Sequence, residues 1–189
     1  MFYISVFILA IVSFSSTEAF KINQSFFQKS FSSISMMGSD DITPTDVGVV
    51  LLAGGKGKRM KSAVPKQFLP LLGKPVFLRS LDIFQQLDCV SDIVIVLDES
   101  YRDEYESIIR SDARIRWADP GVERQDSVYN GLLHIPDRCS VVAIHDAARP
   151  LVTRNEVMGV LKDGIKYGAA VLGVPMKATV KESEDGTLL

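Results

Sequence analysis

The chain has 189 residues, of which 47% are hydrophobic and 23% charged, and its formal net charge is -2 at pH 7. These values are typical of one soluble globular domain and argue against a nucleic-acid-binding protein, which would carry an excess of basic residues. Two cysteines, Cys89 and Cys139, are too few for a disulfide framework or a four-ligand zinc site.

The first 45 residues differ in composition from the rest of the chain. They contain seven of the ten Phe but only five of the 44 charged residues. Residues 1–14 are almost entirely apolar, a run too short for a stable membrane span of about 20 residues and typical of the apolar part of a secretory signal. Thr17-Glu18-Ala19 then supplies small residues for cleavage before Phe20.

Residues 20–39 are rich in Ser and Phe and contain two lysines but no acid, a composition typical of a transit peptide. A signal followed by such a segment resembles the bipartite plastid presequence of algae with complex plastids. We therefore predict that residues 1–45 are a targeting segment and that the mature protein begins between Phe20 and Asp46. It would then lie in a plastid without membrane association. A single secretory signal or a membrane anchor is the alternative.

Strand-like and helix-like segments alternate from residue 46 to the C-terminus. Residues 47–52 form a continuous apolar run apart from Gly48, as expected of a strand buried on both faces of a sheet. The next predicted helix has apolar side chains at helical spacing, with Pro75 at its start, where a helix tolerates proline. The predicted elements are, in chain order, strand 47–52, helix 75–87, strand 93–97, helix 101–110, strand 115–118, helix 125–133, strand 141–144, helix 155–167 and strand 169–174.

This alternation predicts repeated βαβ units. The expected fold class is therefore α/β, a Rossmann-like, doubly wound and mainly parallel sheet with helices on both faces. In such sheets, ligands bind at the carboxyl ends of the strands. The residues directly after each predicted strand are therefore the candidate site.

A glycine-rich basic loop follows the first of these strands. It reads Leu52-Ala53-Gly54-Gly55-Lys56-Gly57-Lys58-Arg59-Met60 and leads to Pro65-Lys66-Gln67. The glycines let backbone N–H groups approach a ligand closely, and the cluster of lysines and Arg59 suits a polyphosphate. The pattern is neither a Walker A loop nor the dinucleotide-binding G-x-G-x-x-G. A solvated basic turn is the alternative for this loop taken alone.

Two more polar loops follow later strands of the predicted sheet. After the third strand, Gly121, Arg124 and Ser127 provide a turn, a basic residue and a hydroxyl at the start of the next helix. After the fourth strand, the sequence H-D-A-A-R-P offers the carboxylate of Asp146 and the guanidinium of Arg149. These last two could instead form only a surface ion pair. Because all three loops come at the same end of a parallel sheet, a joint ligand site is favoured.

Together these residues carry a family resemblance. The pattern L-A-G-G-x-G-x-R-M followed by P-K-Q resembles the signature loop of nucleotidyltransferases that activate sugar or polyol phosphates. With G-x-x-R-x-x-S-V and H-D-A-A-R-P, the chain resembles more narrowly the 2-C-methyl-D-erythritol 4-phosphate cytidylyltransferase family of the methylerythritol phosphate route to isoprenoids. The resemblance extends from Val47 to the C-terminus. The plastid prediction agrees with that route.

The resemblance implies that CTP and methylerythritol phosphate give CDP-methylerythritol and pyrophosphate, with Mg²⁺ as cofactor and a homodimer as the complete form. It implies that Arg59 and Lys66 stabilise the transition state. The positions that would bind the nucleotide are Ala53, Gly54, Gly55, Gly121, Arg124, Ser127 and Asp146, and those that would bind the acceptor are Arg149 and Thr179. Asp146 would also help to place the metal, which would otherwise rely on triphosphate oxygens.

Val122 stands where members of this family usually have an acidic side chain, which argues against base recognition through that side chain. The chain ends at Leu189, where the family begins an extended β-arm that dimerises. We therefore interpret residues 46–189 as a nucleotidyltransferase domain truncated at its C-terminus. The alternatives are a pentitol-phosphate cytidylyltransferase, a sugar-phosphate nucleotidylyltransferase, or a noncatalytic CTP-binding fragment.

Overall fold

The computed structural model describes residues 3–12, 43–55 and 64–175. The predicted presequence cleavage site, Arg59 and Thr179 lie outside the described residues, as does the start of the predicted β-arm.

The described chain consists of eight strands and four α-helices. The strands are β1 Tyr3–Val12, β2 Val47–Leu52, β3 Pro70–Leu71, β4 Lys74–Pro75, β5 Val90–Val96, β6 Ile115–Ala118, β7 Val141–Asp146 and β8 Ala169–Pro175. The helices are α1 Val76–Gln85, α2 Arg102–Ser111, α3 Arg124–Leu132 and α4 Arg154–Tyr167, with 3₁₀ helices at Lys66–Phe68 and Glu99–Tyr101. None of the helices in the described ranges is long and apolar enough to cross a bilayer.

Six of the strands form one sheet in the order β6-β5-β2-β7-β1-β8, and β3 and β4 form a separate hairpin. β2 pairs in parallel with β5 on one side and with β7 on the other, and β5 pairs in parallel with β6. Each element predicted from residue 47 onward forms, with ends within three residues of the predicted ones. The α/β, mainly parallel fold is therefore confirmed.

Both faces of the parallel sheet are buried under apolar clusters. Because side chains alternate between the faces along each strand, neighbouring residues of β2 belong to different clusters. Val49 and Leu51 of β2 belong to the larger apolar cluster, which includes Phe77 of α1. Val50 belongs to a second cluster, on which Val128 of α3 packs. This burial on two faces explains why residues 47–52 read as a continuous apolar run.

One strand of the sheet comes from the start of the chain, where the apolar sequence predicts part of a secretory signal. β1 pairs antiparallel with β7 on one side and with β8 on the other, for example Leu9 with Ile144 and Ile11 with Ala169. It thus lies between two strands that run in the opposite direction. This pairing does not test whether residues 1–45 direct transport in the cell, which stays a prediction.

The hairpin of β3 and β4 could not be predicted from the sequence, because strands of two residues are too short to show a periodic pattern. Its turn residues, Leu72 and Gly73, have φ angles of 51° and 77°. Positive φ at both central residues is what the favoured two-residue hairpin turn requires. The hairpin leads directly into α1 and so sets where that helix begins.

β5 begins three residues earlier than predicted, because Asp92 interrupts the apolar pattern. The Asp92 side chain is buried, accepts a hydrogen bond from Arg116 Nη1 at 2.7 Å and pairs with Arg138. Burial alone would raise the pKa of this carboxyl, but hydrogen bonds from Arg116 and Ser91 and the charges of both arginines lower it. The arginines that satisfy Asp92 are 24 and 46 positions away, so the sequence does not show that an acid can lie here.

Candidate active site

The three polar loops meet at the carboxyl edge of the parallel sheet. Backbone hydrogen bonds join neighbouring strand ends where the loops begin: Ala53 N donates to Val96 O at 2.9 Å, Leu97 N donates to Ala118 O at 3.0 Å, and Ala147 N donates to Leu52 O at 3.0 Å. These bonds extend the sheet by one residue beyond the strand ends. The loops therefore share one edge, as the sequence predicts.

The described part of the glycine loop, Ala53-Gly54-Gly55, is held by a buried glutamine. The Gln67 Nε2 donates to Ala53 O at 2.5 Å and to Gly55 O at 2.8 Å. The Gln67 Oε1 is buried and has no hydrogen-bond partner within the described ranges. Lys66, the predicted catalytic cation, directly precedes Gln67 and is exposed. The glycine loop and the predicted cation are thus joined through one side chain.

Aromatic packing fixes the short 3₁₀ helix that carries Lys66. Phe68 stacks on Tyr101 with ring centroids 4.5 Å apart and meets Phe77 edge to face at 5.7 Å. Pro65 precedes the helix with φ of -58°, the angle that its ring imposes. Lys66 therefore projects into solvent from a segment that is anchored in the core.

The loop of residues 119–123 lies against the glycine loop. A Cβ at Gly54 would lie 2.5 Å from Pro120 Cβ, so the two loops are in direct contact. Gly121 N donates to Ser127 Oγ at 2.9 Å, and Ser127 Oγ donates in turn to Glu123 O at 3.2 Å. The hydroxyl predicted to bind the nucleotide is thus used here to shape the loop.

The start of the 119–123 loop is fixed, whereas its tip is open to solvent. Arg102 Nη2 donates to Ala118 O at 3.0 Å and pairs with Asp119. Asn130 Nδ2 donates to Asp119 O at 3.0 Å. Val122, by contrast, is 99% exposed. An apolar side chain thus stands at the exposed tip of this loop.

Asp146 joins the predicted nucleotide-binding and acceptor-binding arginines. Its Oδ1 accepts a hydrogen bond from Arg124 Nη1, and its Oδ2 accepts one from Arg149 Nε at 3.1 Å. The ion pair of Asp146 with Arg149 is thus present, and the structure adds Arg124 to it. A carboxylate between two guanidinium groups leaves one net positive charge, which suits a phosphate.

Two buried side chains hold the turn that carries Asp146 and Arg149. Arg149 N donates to Asp146 O at 3.0 Å and closes the turn. Ser80 Oγ donates to Ala147 O at 2.8 Å, and His145 Nε2 donates to Arg149 O at 3.0 Å. Burial lowers the pKa of His145, which favours the neutral ring. Because a carbonyl oxygen only accepts, the proton of that ring lies on Nε2.

Sequence reasoning missed Gln67, Ser80, Arg102 and His145 as supports of the site. Gln67 and His145 stand beside predicted site residues within the quoted motifs, so their position could have pointed to them. Ser80 and Arg102 come from helices 67 and 17 positions away from the groups they contact, and no local pattern marks them.

No group of three or more His, Cys, Asp or Glu side chains is placed to hold a metal ion within the described part of the chain. A cavity of about 720 Å³ lies at the amino ends of β2 and β5, lined in part by Thr45, Cys89 and Arg154. It is at the opposite end of the strands from the three loops and contains none of the predicted site residues.

Comparison with known proteins gives the family. A family model described as 2-C-methyl-D-erythritol 4-phosphate cytidylyltransferase (IspD) matches residues 47–189. The chain is 52% identical over 144 residues to the chloroplastic protein of that name from Oryza sativa subsp. japonica, a match covering 76% of this chain and 48% of the rice protein. It is 35% identical over 152 residues to the protein of that name from Caldanaerobacter subterraneus subsp. tengcongensis, covering 76% of this chain and 65% of the relative. The chain therefore spans about half to two thirds of the length of these relatives.

Two solved structures share the fold. One, described as 4-diphosphocytidyl-2C-methyl-D-erythritol synthase, gives a TM-score of 0.58 at 20% identity and covers 78% of this chain and 68% of that chain. The corresponding synthase from Anaerococcus prevotii gives 0.56 at 21% identity, covering 65% of this chain and 52% of that chain. The family match includes all three loops of the site, and the chain therefore belongs to the 2-C-methyl-D-erythritol 4-phosphate cytidylyltransferase family.

Proposed function

We propose that the chain transfers the cytidylyl group of CTP to 2-C-methyl-D-erythritol 4-phosphate and releases pyrophosphate. One observation carries this proposal: in a chain of this family, the glycine loop, the 119–123 loop and Asp146 with its two arginines, Arg124 and Arg149, lie at the same end of the parallel strands. An acceptor phosphate oxygen would form a bond to the α-phosphorus of CTP. The bond from that phosphorus to the bridging oxygen would break, and its electron pair would leave with pyrophosphate.

The main obstacle to this reaction is electrostatic, because one phosphate anion must approach another. At 4 Å, each pair of unit charges repels by about 4 kcal/mol at an effective dielectric constant of about 20. Lys66 would act as a point charge, and Arg59 as a planar guanidinium that can contact two phosphate oxygens. No general base is needed, since the phosphate is already a nucleophile.

The remaining predicted residues would bind the two substrates. We propose that the backbone of Ala53, Gly54 and Gly55 lines the triphosphate. Arg124 would hold the nucleotide together with the backbone around Gly121 and the hydroxyl of Ser127, since Val122 offers no polar group. Arg149 would bind the acceptor phosphate together with Thr179, and a homodimer is expected from the family resemblance alone.

Mg²⁺ is the proposed cofactor. It prefers oxygen ligands and commonly combines one or two carboxylates with substrate phosphates. Asp146 fits this pattern, because it places a carboxylate at the edge where the triphosphate would lie. Both oxygens of this carboxylate pair with arginines, so a metal would share it with Arg124 and Arg149. Once bound, Mg²⁺ would neutralise part of the triphosphate charge.

A pyrophosphate-release assay tests the function. The natural protein, including any sequence that follows residue 189, is supplied with each of four nucleoside triphosphates and with several acceptor phosphates. We expect release only with CTP, methylerythritol phosphate and Mg²⁺ together, and loss of release when the metal is chelated. Equal rates with a pentitol phosphate or a sugar 1-phosphate would contradict the acceptor. Calorimetric binding of CTP without any release would favour a noncatalytic module.

We propose that the protein works in a complex plastid, reached through residues 1–45. The rice relative is named as chloroplastic, and the composition of residues 20–39 is typical of a transit peptide. A reporter fused after residue 45 should accumulate inside the plastid, and its appearance in the medium or the cytosol would contradict the proposal. Removal of β1 would open backbone edges of β7 and β8, so the mature sheet would need another strand there.

A further inference from the structure

Gln67 connects the glycine loop to the segment that carries Lys66. Its side chain is 3% exposed, and its Nε2 donates to Ala53 O at 2.5 Å and to Gly55 O at 2.8 Å. Because both neighbours are carbonyl oxygens, only the NH₂ end of the amide can face them. Both hydrogens of Nε2 are therefore used to hold one loop.

This contact sets the direction of the loop backbone. In a planar trans peptide, the C=O and the N–H that follows it point in opposite directions, and the described peptide bonds are all trans. Since Ala53 O faces Gln67, the Gly54 N–H points away from Gln67. Ala53 N is itself held by Val96 O at 2.9 Å. The Gly54 N–H thus points away from the buried amide, and a triphosphate lying along the loop would accept a hydrogen bond from it.

Gln67 also helps to fix the backbone from which the Lys66 side chain extends. The 3₁₀ helix of Lys66 is held on one side by Phe68 stacked on Tyr101 and on the other by the two amide hydrogen bonds of Gln67. The Gln67 Oε1 stays buried without a partner within the described ranges. Gln67 therefore connects the glycine loop and the Lys66 segment through one buried side chain.

We propose that Gln67 is a positioning residue that sets the spacing between the Lys66 ammonium group and the backbone N–H groups of the glycine loop. This inference rests on the proposed function and deepens it, because it assigns a role to a residue that touches neither substrate. Lys66 and the loop would act on the same triphosphate. A misplacement of about 1 Å between such groups costs on the order of 10²-fold in rate.

The test compares Gln67→Met with Gln85→Met in the natural protein. Both changes replace a glutamine amide by an apolar side chain of similar length. Gln85 lies at the end of α1, where its Nε2 donates to Asp112 Oδ2 at 3.0 Å. We expect Gln67→Met to lower kcat about 10- to 100-fold, with KM for the acceptor changed by less than about 3-fold. Gln85→Met should leave both constants unchanged at a temperature where circular dichroism shows that both variants are folded.

Two further measurements separate positioning from general stability. In a Lys66→Ala background, Gln67→Met should lower kcat by less than about 3-fold, because the group to be positioned is gone. The Ala53 amide should exchange its hydrogen about 10-fold or more faster in Gln67→Met than in the wild type or in Gln85→Met.

Wild-type kcat together with wild-type exchange in Gln67→Met would overturn the proposal, and so would equal losses of kcat in the two Gln→Met variants. A wild-type protein that releases no pyrophosphate would instead refute the proposed function. The exchange of the Ala53 amide would then still decide whether Gln67 holds the glycine loop.

Discussion

Replacing Lys66 with alanine is expected to lower kcat by about 10² or more, the usual loss when one preorganised charge donor is removed. The expected loss falls on kcat because the ammonium group would oppose charge that develops as the two phosphates approach. Lys66 is exposed on a segment anchored by Phe68, so its truncation should leave the fold intact. Steady-state kinetics with CTP and methylerythritol phosphate measure the effect, and Arg59→Ala is expected to give a loss of the same order.

Lys162→Ala is the matched control for these two variants. Lys162 is exposed on α4, so the same loss of one cation should leave kcat unchanged there. Turnover at the wild-type rate in both Lys66→Ala and Arg59→Ala would refute the assigned roles. A loss as large in Lys162→Ala would show that net charge, rather than position, is what matters.

Adding a single methyl group at Gly121 is expected to weaken CTP binding about 10- to 100-fold. A Cβ there would lie 2.1 Å from Asp126 Cβ and 2.9 Å from Ser127 N, too close for any real contact. Backbone atoms are among the neighbours, so the loop itself would have to move. Overpacking of this kind costs about 1–3 kcal/mol, and each 1.4 kcal/mol changes affinity about tenfold. Calorimetry with CTP measures the change in Kd.

Gly159→Ala is the matched control for Gly121→Ala. Gly159 is exposed on α4, and apart from its chain neighbours and the backbone of its own helix, no heavy atom of the described residues lies within 4 Å of the Cβ that alanine would add. Alanine also favours a helix over glycine, by about 1 kcal/mol. Gly159→Ala should therefore bind CTP as the wild type does and unfold at the same or a higher temperature. Equal CTP affinity in the two variants would show that the 119–123 loop does not form the nucleotide site.

The fold could be predicted wherever burial imposes a repeating pattern. β2 reads as a strand because both of its faces are covered, and α4 reads as a helix because its apolar side chains recur at helical spacing. The start of β5 could not be predicted, because Asp92 is made tolerable by arginines that come from distant positions. Nor could the pairing of β1 between β7 and β8, since an apolar run does not indicate its partners.

The site could be predicted only as far as its motifs extend. The three loops follow the ends of parallel strands, so their meeting at one edge follows from topology. Two other contacts depend on three-dimensional packing. Arg124 meets Asp146, which is 22 positions away, and Ser80 donates to Ala147 O in the turn after β7. The motifs identify the groups that would contact a substrate. No local sequence pattern identifies the buried side chains that hold those groups in position.

A crystal structure of the natural protein with CTP and Mg²⁺ tests the central claim most directly. The claim is that the three loops form one cytidylyltransferase site. We predict the triphosphate against the backbone of Ala53, Gly54 and Gly55, with the cytosine beside Gly121 and the metal near Asp146. CTP bound away from these loops, for example in the cavity at the amino ends of β2 and β5, would contradict the account.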